Sequence, residues 1–343
     1  EDYPILIIGN NWVWRGLHSL LGVLGFKTRP IDKNWLSYRQ MESICLVSGF
    51  EVLKKETRVF FPFSIPFLQT ILNKTLAWIP GIRNLGMRQY SVIRPTLAGP
   101  GIRRYSSLSI VIPTKNERGN VESAIKRLPE FGVDTEIIFV DGDSVDGTSD
   151  EIDRVIKKYP KCNITLHKQS GKGKGNAVRE GFAIATKEVL MILDAVLTVP
   201  PEDLPKFFEA INSNVGEFIN GSRLVYPLER DSMRFLNFLA NHSFASIFSF
   251  ILDQAITDTL CGTKVISRKN YIKISEGRQF FGDFDPFGDF DLIFGAAKLN
   301  LKIVDLPIHY RSREYGVTQI SRFRHGWLLL KMVVFASRKL RSF

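Results

Sequence analysis

The stretch LSIVIPTKNERGNVESAIKRLPEFGVDTEIIFVDGD, residues 108–143, decides the fold of the larger part of this chain. It begins with an apolar run at 108–113, passes through a helical period and reaches a second apolar run at 135–140. Two further runs, NITLH at 163–167 and EVLMIL at 188–193, continue the alternation. Short, nearly continuous apolar runs between helical periods are typical of strands buried on both faces of a parallel sheet. The sequence therefore predicts an α/β domain with a mostly parallel sheet flanked by helices.

The composition indicates a globular protein that suits an anionic partner. The chain has 343 residues, of which 44% are hydrophobic and 24% charged, a length that allows about two domains. The formal net charge of +11 suits nucleotides, nucleic acid or an acidic membrane surface, and it equally suits a solvated basic face. We expect no nucleic-acid partner, because no aromatic-rich basic motif and no zinc-ligand spacing appears.

The cysteines and the apolar segments give information about the cellular compartment and about membrane-spanning segments. Cys45, Cys162 and Cys261 are far apart and form no C-x-x-C pair, which favours a reducing compartment and a cytoplasmic location. The opening EDYPILIIGN lacks the pattern of a signal peptide, and we interpret it as the interior of a longer protein. No stretch approaches the roughly 20 apolar residues that a membrane-spanning helix needs.

Polar side chains follow the first two apolar runs. In open α/β sheets, ligands bind beyond the carboxyl ends of the strands, so these positions are candidates for a binding site. Pro113, Asn116 and Glu117 come after the first run, and Asp141 and Asp143 come after the second. The two aspartates could accept hydrogen bonds from a ribose hydroxyl or a base. The alternative is an Asx turn that leads into a helix.

The third and fourth apolar runs are followed by a glycine-rich loop and by a single carboxylate. GKGKGNAVREG, residues 171–181, places Lys172 and Lys174 just before a helix, where backbone N–H groups and lysines would suit a diphosphate. It is not a P-loop, because no G-K-[ST] follows at the required spacing. Asp194 ends the fourth run and Val196 stands two positions on. Asp194 is either half of a metal site or the polar end of a buried strand.

Taken in order, these blocks resemble family 2 glycosyltransferases with the GT-A fold, over about residues 106–335. The later blocks are similar to the polyprenyl-phosphate sugar synthases, the dolichyl-phosphate mannose synthase group. The resemblance implies a Rossmann-like GT-A domain, a nucleotide-sugar donor, a lipid-phosphate acceptor and inverting transfer. The blocks that carry it are SIVIPTKNERGNVESAI, IIFVDGDSVDGTSD, GKGKGNAVREGFAIAT, LMILDAVLTVPPEDL, FINGSRLVYP, DTLCGTKV and FDLIFGAAKLNLKIVDLPIHYRSREYG.

The resemblance also implies a set of residues around the donor nucleotide. These are Pro113, Asn116, Glu117, Asp141, Asp143, Lys174, Ala177 and Asp194. Asp194 matches the first carboxylate of the family's Asp-x-Asp metal motif, but Val196 in the second place cannot bind a metal. The expectation is a weakly held Mg²⁺ or Mn²⁺, bound through Asp194, waters and donor phosphates. The alternative is a relative with weakened or no activity that still binds nucleotide sugar.

Three arginines and two aspartates complete the implied site. Arg223 and Arg234 match basic residues that meet the acceptor phosphate, and arginine suits this because its contacts to phosphate are bidentate. Arg313 matches a loop that closes over the diphosphate. Asp291 and Asp289 match the acidic residues at the reaction centre. Asp291 would be a general base toward a hydroxyl acceptor and an orienting group toward a phosphate, and Asp289 equally suits a helix N-cap.

The sequence predicts four segments: 1–95, a linker at 96–107, the glycosyltransferase domain at 108–318, and 319–343. The first resembles the C-terminal portion of a class I methyltransferase-like domain, through KNWLS, SGFEVLKKETR and MRQYSVIRP. It lacks the glycine-rich cofactor loop, so we expect no methyl transfer. The last segment alternates cationic and apolar residues, which suits a helix lying on the cytoplasmic membrane face or one packed on the catalytic domain.

Overall fold

The fold is described from a computed structural model of the chain. The structure describes residues 4–24, 38–59, 73, 82–96, 104–223, 235–278, 289–311, 315, 330–335 and 337–338. The chain divides into two compact units, Glu1–Leu97 and Ala98–Phe343.

The first unit contains a three-stranded antiparallel sheet. Its elements are β1 (Ile5–Asn10), α1 (Arg15–Val23), α2 (Tyr38–Val47), β2 (Phe50–Arg58) and β3 (Arg88–Pro95). The last strand, β3, lies between the other two and runs antiparallel to both. Leu53 and Ile93 are buried in this unit, and Arg94 forms an ion pair with Glu51 at 2.6 Å.

The second unit contains a seven-stranded sheet that is mostly parallel. Its strands are β4 (Ser107–Thr114), β5 (Asp134–Asp141), β6 (Asn163–Lys168), β7 (Val189–Ile192), β8 (Phe218–Ser222), β9 (Lys264–Ser267) and β10 (Ile303–Pro307). The strand order is β10-β8-β9-β7-β4-β5-β6. Within this order β9 is antiparallel to both of its neighbours, and the other pairings are parallel. The predicted α/β fold with a mostly parallel sheet is confirmed.

Helices connect these strands. They are α3 (Arg118–Arg127), α4 (Thr148–Lys158), α5 (Lys174–Ile184), α6 (Leu204–Asn212), α7 (Phe235–Leu252), α8 (Arg268–Glu276) and α9 (Asp289–Lys298). The ends of α4 show why the chain is helical there. Asp150 and Glu151 lie in its first turn and Lys157 and Lys158 in its last, which is the charge order that a helix dipole favours. No helix of the described residues is both long and apolar enough to cross a membrane.

The core consists of two apolar clusters, one on each face of the sheet. Successive side chains of a strand point to opposite faces. In β4, Val111 therefore joins one cluster, with Val140 and Leu190, while Ile110 and Ile112 join the other. All of these side chains are fully buried. Burial on both faces explains why β4, β5 and β7 are continuous apolar runs in the sequence.

Candidate functional site

The carboxyl ends of β7, β4 and β5 lie side by side, because these three strands are neighbours and parallel. Thr114, the last residue of β4, is directly opposite Asp141, the last residue of β5. Asp194 follows two residues after the end of β7. The sheet therefore brings the residues after the first, second and fourth apolar runs to one edge.

Asn116 links the loops that follow β4 and β5. Its backbone N–H donates to Ser144 Oγ at 2.9 Å, and its Oδ1 accepts from the Val145 N–H at 2.9 Å. Glu117 is buried at the start of α3, where its backbone N–H donates to Thr148 Oγ1 at 3.0 Å. Both predicted nucleoside contacts thus also have a role in holding this edge together. Pro113 is half-buried next to them, within β4.

The two aspartates of the second loop differ in exposure. Asp141 is buried and accepts hydrogen bonds from Ser144 Oγ at 2.5 Å and Ser149 Oγ at 2.7 Å. Asp143 is exposed, has a positive φ of 60°, and makes no side-chain hydrogen bond within the described residues. Asp141 therefore organises the loop, while Asp143 is the carboxylate open to a ligand.

The glycine-rich loop before α5 is fixed by two side chains. Gln169 Nε2 donates to the Gly173 carbonyl at 2.9 Å, and Glu180 accepts from Ser170 Oγ at 2.6 Å and from the Gly171 N–H at 3.1 Å. Burial would raise the pKa of Glu180, but the hydrogen bonds from Ser170, His167 and Gly171 lower it to about 2. The loop is thus held in one shape by a carboxylate that stays ionised at neutral pH.

Lys174 and Asp194 meet in front of the sheet edge. Lys174 is the first residue of α5, and its Nζ lies 2.6 Å from Asp194 Oδ1. The Asp194 carboxylate also lies against the backbone of Gly262, where an added Cβ would stand 2.0 Å from Asp194 Oδ2. Only a residue without a Cβ leaves room for the carboxylate in this position. Ala177, one turn into α5, is buried in the apolar core with Val111.

The donor set at Asp194 does not fit a divalent ion held by the protein. Mg²⁺ and Mn²⁺ prefer oxygen ligands, and Asp-x-Asp motifs offer two carboxylates. Here Asp194 is paired with an ammonium group, and Val196 is apolar and half-buried. No group of three His, Cys, Asp or Glu side chains in the described part of the chain could hold a metal.

Arg223, the predicted acceptor-phosphate ligand, forms a buried bidentate pair. Its Nε lies 2.6 Å and its Nη2 2.9 Å from the two oxygens of Asp258, and Asn241 Nδ2 donates to the same carboxylate at 3.0 Å. The guanidinium also lies over the Tyr310 ring, 5.2 Å from the ring centroid. Burial would raise the pKa of Asp258, but the charge and hydrogen bonds of Arg223 lower it to about 2. Sequence reasoning missed Asp258, whose only signal was its place in the block DTLCGTKV.

Asp291, the predicted catalytic carboxylate, lies between two arginines. Arg179 Nη1 is 3.2 Å and Arg278 Nε is 3.6 Å from its Oδ2. Sequence reasoning missed both arginines. Asp289 is the first residue of α9, two positions before Asp291. Arg234 and Arg313 lie outside the described residues.

A solved structure with a similar fold is glucosyl-3-phosphoglycerate synthase from Mycobacterium tuberculosis, crystallised with Mn²⁺, UDP-glucose and glycerol 3-phosphate. The TM-score is 0.50 at 17% identity, over 69% of this chain and 80% of that one, a likeness that concerns the fold alone. In sequence, residues 109–275 match the family model described as "Glycosyl transferase family 2". Over these residues the chain is similar to family 2 glycosyltransferases, and the second unit has the GT-A fold.

Two curated relatives are lipid-phosphate sugar transferases by name. A dolichol-phosphate mannosyltransferase of Pyrococcus furiosus is 40% identical over 120 residues, which are 34% of this chain and 33% of that protein. A dolichyl-phosphate hexose transferase of Haloferax volcanii is 28% identical over 235 residues, 67% of this chain and 93% of that protein. The chain thus spans a third of the first relative's length and most of the second's.

Proposed function

We propose that this chain transfers a sugar from a nucleotide-sugar donor to a polyprenyl phosphate, with inversion at the sugar carbon. The observation that carries the proposal is the pairing of Lys174 with Asp194 at the edge where Asn116 and Asp141 also lie. The family match and the names of the two relatives support it.

The donor would bind along this edge. We expect Asp143, Asn116 and Glu117 to contact the nucleoside, as the resemblance implies, and the hydrogen bonds of Asp141 and Asn116 within these loops support this. The diphosphate would lie at the start of α5, where backbone N–H groups and the helix dipole favour an anion. Lys174 adds a full positive charge there.

The reaction needs little proton transfer, because a phosphate acceptor is already anionic. An acceptor oxygen would form a bond to the sugar's anomeric carbon on the face opposite the leaving group. The bond from that carbon to the diphosphate oxygen breaks, and its electron pair leaves with the nucleoside diphosphate. We propose that Asp291 acts here as an orienting group for Arg179 and Arg278, because both guanidinium groups face its carboxylate.

Asp194, the residue that the resemblance assigns to a divalent cation, is already paired with Lys174, and no group of three metal-binding side chains lies within the described residues. We therefore propose that a divalent cation, where it takes part, binds together with the donor phosphates and only weakly to the free protein. No step of the proposed transfer depends on this cation.

The proposal is tested by incubating the chain with UDP- and GDP-sugars and a polyprenyl phosphate, and measuring sugar in the lipid extract. Lipid-linked sugar that disappears in Asp194→Asn supports the transferase. The second candidate is a relative that binds nucleotide sugar without turnover, and the missing carboxylate at Val196 favours it. Donor binding without lipid-linked product in either Mg²⁺ or Mn²⁺ would support that candidate.

Two further proposals concern the ends of the chain. We propose that segment 319–343 contacts the cytoplasmic membrane face peripherally, which its alternation of cationic and apolar residues supports. Flotation with acidic liposomes tests this, and no binding to them would remove it. We also propose that residues 1–95 derive from a methyltransferase-like domain. The sequence blocks support this proposal, and absence of S-adenosylmethionine binding is the expected result.

A further inference from the structure

We propose that Lys174 supplies to the donor diphosphate the positive charge for which related sites use a metal ion, so that donor binding does not require a divalent cation. The inference rests on the proposed function, whose donor site it describes in more detail. Asp194 is paired with Lys174 and Val196 offers no second carboxylate, so these side chains do not fit a divalent ion bound by the protein.

The first step is the position of the ammonium group. Lys174 opens α5, a helix of 11 residues, and its Nζ lies 2.6 Å from Asp194 Oδ1, with the two side chains 33% and 19% exposed. A pair at this exposure is still reached by solvent and by a ligand. An ammonium group has three N–H donors, so it can keep its contact to Asp194 and donate to phosphate oxygens as well.

The second step is that the carboxylate is packed closely against its neighbours. Asp194 Oδ2 lies against Gly262, which has no Cβ, and the Asp194 carbonyl accepts a hydrogen bond from the Leu197 N–H at 3.0 Å. The close approach to Gly262 limits the positions that the carboxylate can take. A divalent cation would have to displace the ammonium from Asp194, with Val196 offering no second oxygen.

The third step is that the loop before Lys174 is held in one conformation. Gln169 and Glu180 hold residues 169–173 through hydrogen bonds to the Gly173 carbonyl, the Ser170 hydroxyl and the Gly171 N–H. Gly173, the residue before the helix, has a φ of 89° that favours glycine. Lys174 thus follows a loop that is held in one conformation, and a donor in a fixed position favours an anion without a large ordering cost.

The test is calorimetric binding of UDP and GDP, each measured in EDTA and in Mn²⁺. We expect the unmodified chain to bind one of the two nucleotides in EDTA. Its dissociation constant in EDTA should lie within about threefold of the value in Mn²⁺. In Lys174→Met we expect the affinity in EDTA to fall about tenfold or more, the usual effect of losing one charge-assisted hydrogen bond. Mn²⁺ should restore part of that loss, because Asp194 is then released.

Two variants serve as controls. Lys174→Arg keeps the charge and should retain most of the affinity in EDTA. Lys157→Met removes an exposed lysine from α4 and should bind as the unmodified chain does. A circular-dichroism spectrum of each variant shows whether it folds.

The outcomes separate the two claims. If the unmodified chain binds a nucleotide only with Mn²⁺, the inference is overturned while the proposed function stands, and this result needs no variant. The same holds if Lys174→Met folds and binds in EDTA as tightly as the unmodified chain. If neither nucleotide binds in either condition, the donor site itself is refuted and the inference falls with it.

Discussion

Arg223→Met should destabilise the second unit strongly, although it removes only one side chain. Asp258 is fully buried and the Arg223 side chain is 12% exposed, so the substitution leaves a buried carboxylate without its counter-charge. Removing one partner of a buried ion pair costs about 3–5 kcal/mol. Asp258 keeps hydrogen bonds from Asn241 Nδ2 at 3.0 Å and the Leu260 N–H at 2.9 Å, which favours the lower end, about 3 kcal/mol.

For a unit of this size, 3 kcal/mol corresponds to a fall in Tm of about 6–12 °C. Thermal unfolding followed by circular dichroism measures it. The matched control is Arg154→Met, which removes an exposed arginine from a surface cluster with Glu122 and Glu151 and should give no resolvable shift. If Arg223→Met shifts Tm no more than this control does, the buried pair described above is not formed.

The same pair predicts a pH dependence. The pKa of Asp258 is about 2 in the folded chain, below its ordinary value of 3.8. A depressed pKa means that the ionised carboxylate stabilises the fold, so its contribution is complete above pH 3.8 and is lost as the pH falls toward about 2. In Arg223→Met, the free energy of unfolding should fall less steeply across this window, because the charge that favours ionised Asp258 is gone. An equally steep fall in both proteins would contradict the assignment.

Three other substitutions test the sheet edge. Glu180→Gln should weaken donor binding several-fold by loosening residues 169–173. Because the pKa of Glu180 is lowered from 4.5 to about 2, its stabilisation of the unmodified chain is lost as the pH falls through this range. Gly262→Ala should lower the transfer rate at least about tenfold, because the new Cβ overlaps the Asp194 carboxylate. Displacing a group at a reaction site by an ångström can cost two orders of magnitude in rate. Val196→Asp should raise the affinity for Mn²⁺ about tenfold or more, measured by the electron paramagnetic resonance of the free ion, because it adds a second carboxylate beside Asp194.

For each of these three substitutions, one result would contradict the expected effect. Unchanged donor affinity in Glu180→Gln would mean that the loop does not depend on that carboxylate. For Gly262→Ala the control is Gly9→Ala, where an added Cβ meets nothing within 4 Å, and equal rates in the two variants would refute the close approach to Asp194. Unchanged Mn²⁺ affinity in Val196→Asp would mean that positions 194 and 196 cannot form a clamp.

The parallel half of the sheet could be predicted because burial leaves a direct mark on the sequence. The central residues of β4 and β5 and all of β7 are covered on both faces, so residues 110–112, 137–140 and 189–192 are continuous apolar runs. The insertion of β9 between β7 and β8, antiparallel to both, leaves no such mark. Its four residues pair with strands far away in the chain, and a short apolar run does not reveal its direction.

Part of the candidate site could likewise be predicted from the sequence, and part could not. Asp141 and Asp194 could be placed together because the carboxyl ends of neighbouring parallel strands share an edge. The pairs of Arg223 with Asp258 and of Arg179 with Asp291 could not, since the partners are 35 and 112 residues apart and belong to no common motif. For Arg223 this matters, because the predicted contact with an acceptor phosphate has to be compatible with a guanidinium that already holds Asp258 through two nitrogens.

The central claim is that this sheet edge transfers a sugar to a lipid phosphate. The most direct measurement is the amount of sugar that moves from UDP- or GDP-sugars into a chloroform-extractable product with a polyprenyl phosphate, for the unmodified chain and for Asp194→Asn. We predict a lipid-linked product that depends on one of these donors and on the lipid phosphate. It should fall about 100-fold in Asp194→Asn, because Asp194 positions Lys174 and misplacing a group at a reaction site by an ångström can cost two orders of magnitude. Absence of lipid-linked product with every donor, or equal product from Asp194→Asn, would contradict the account.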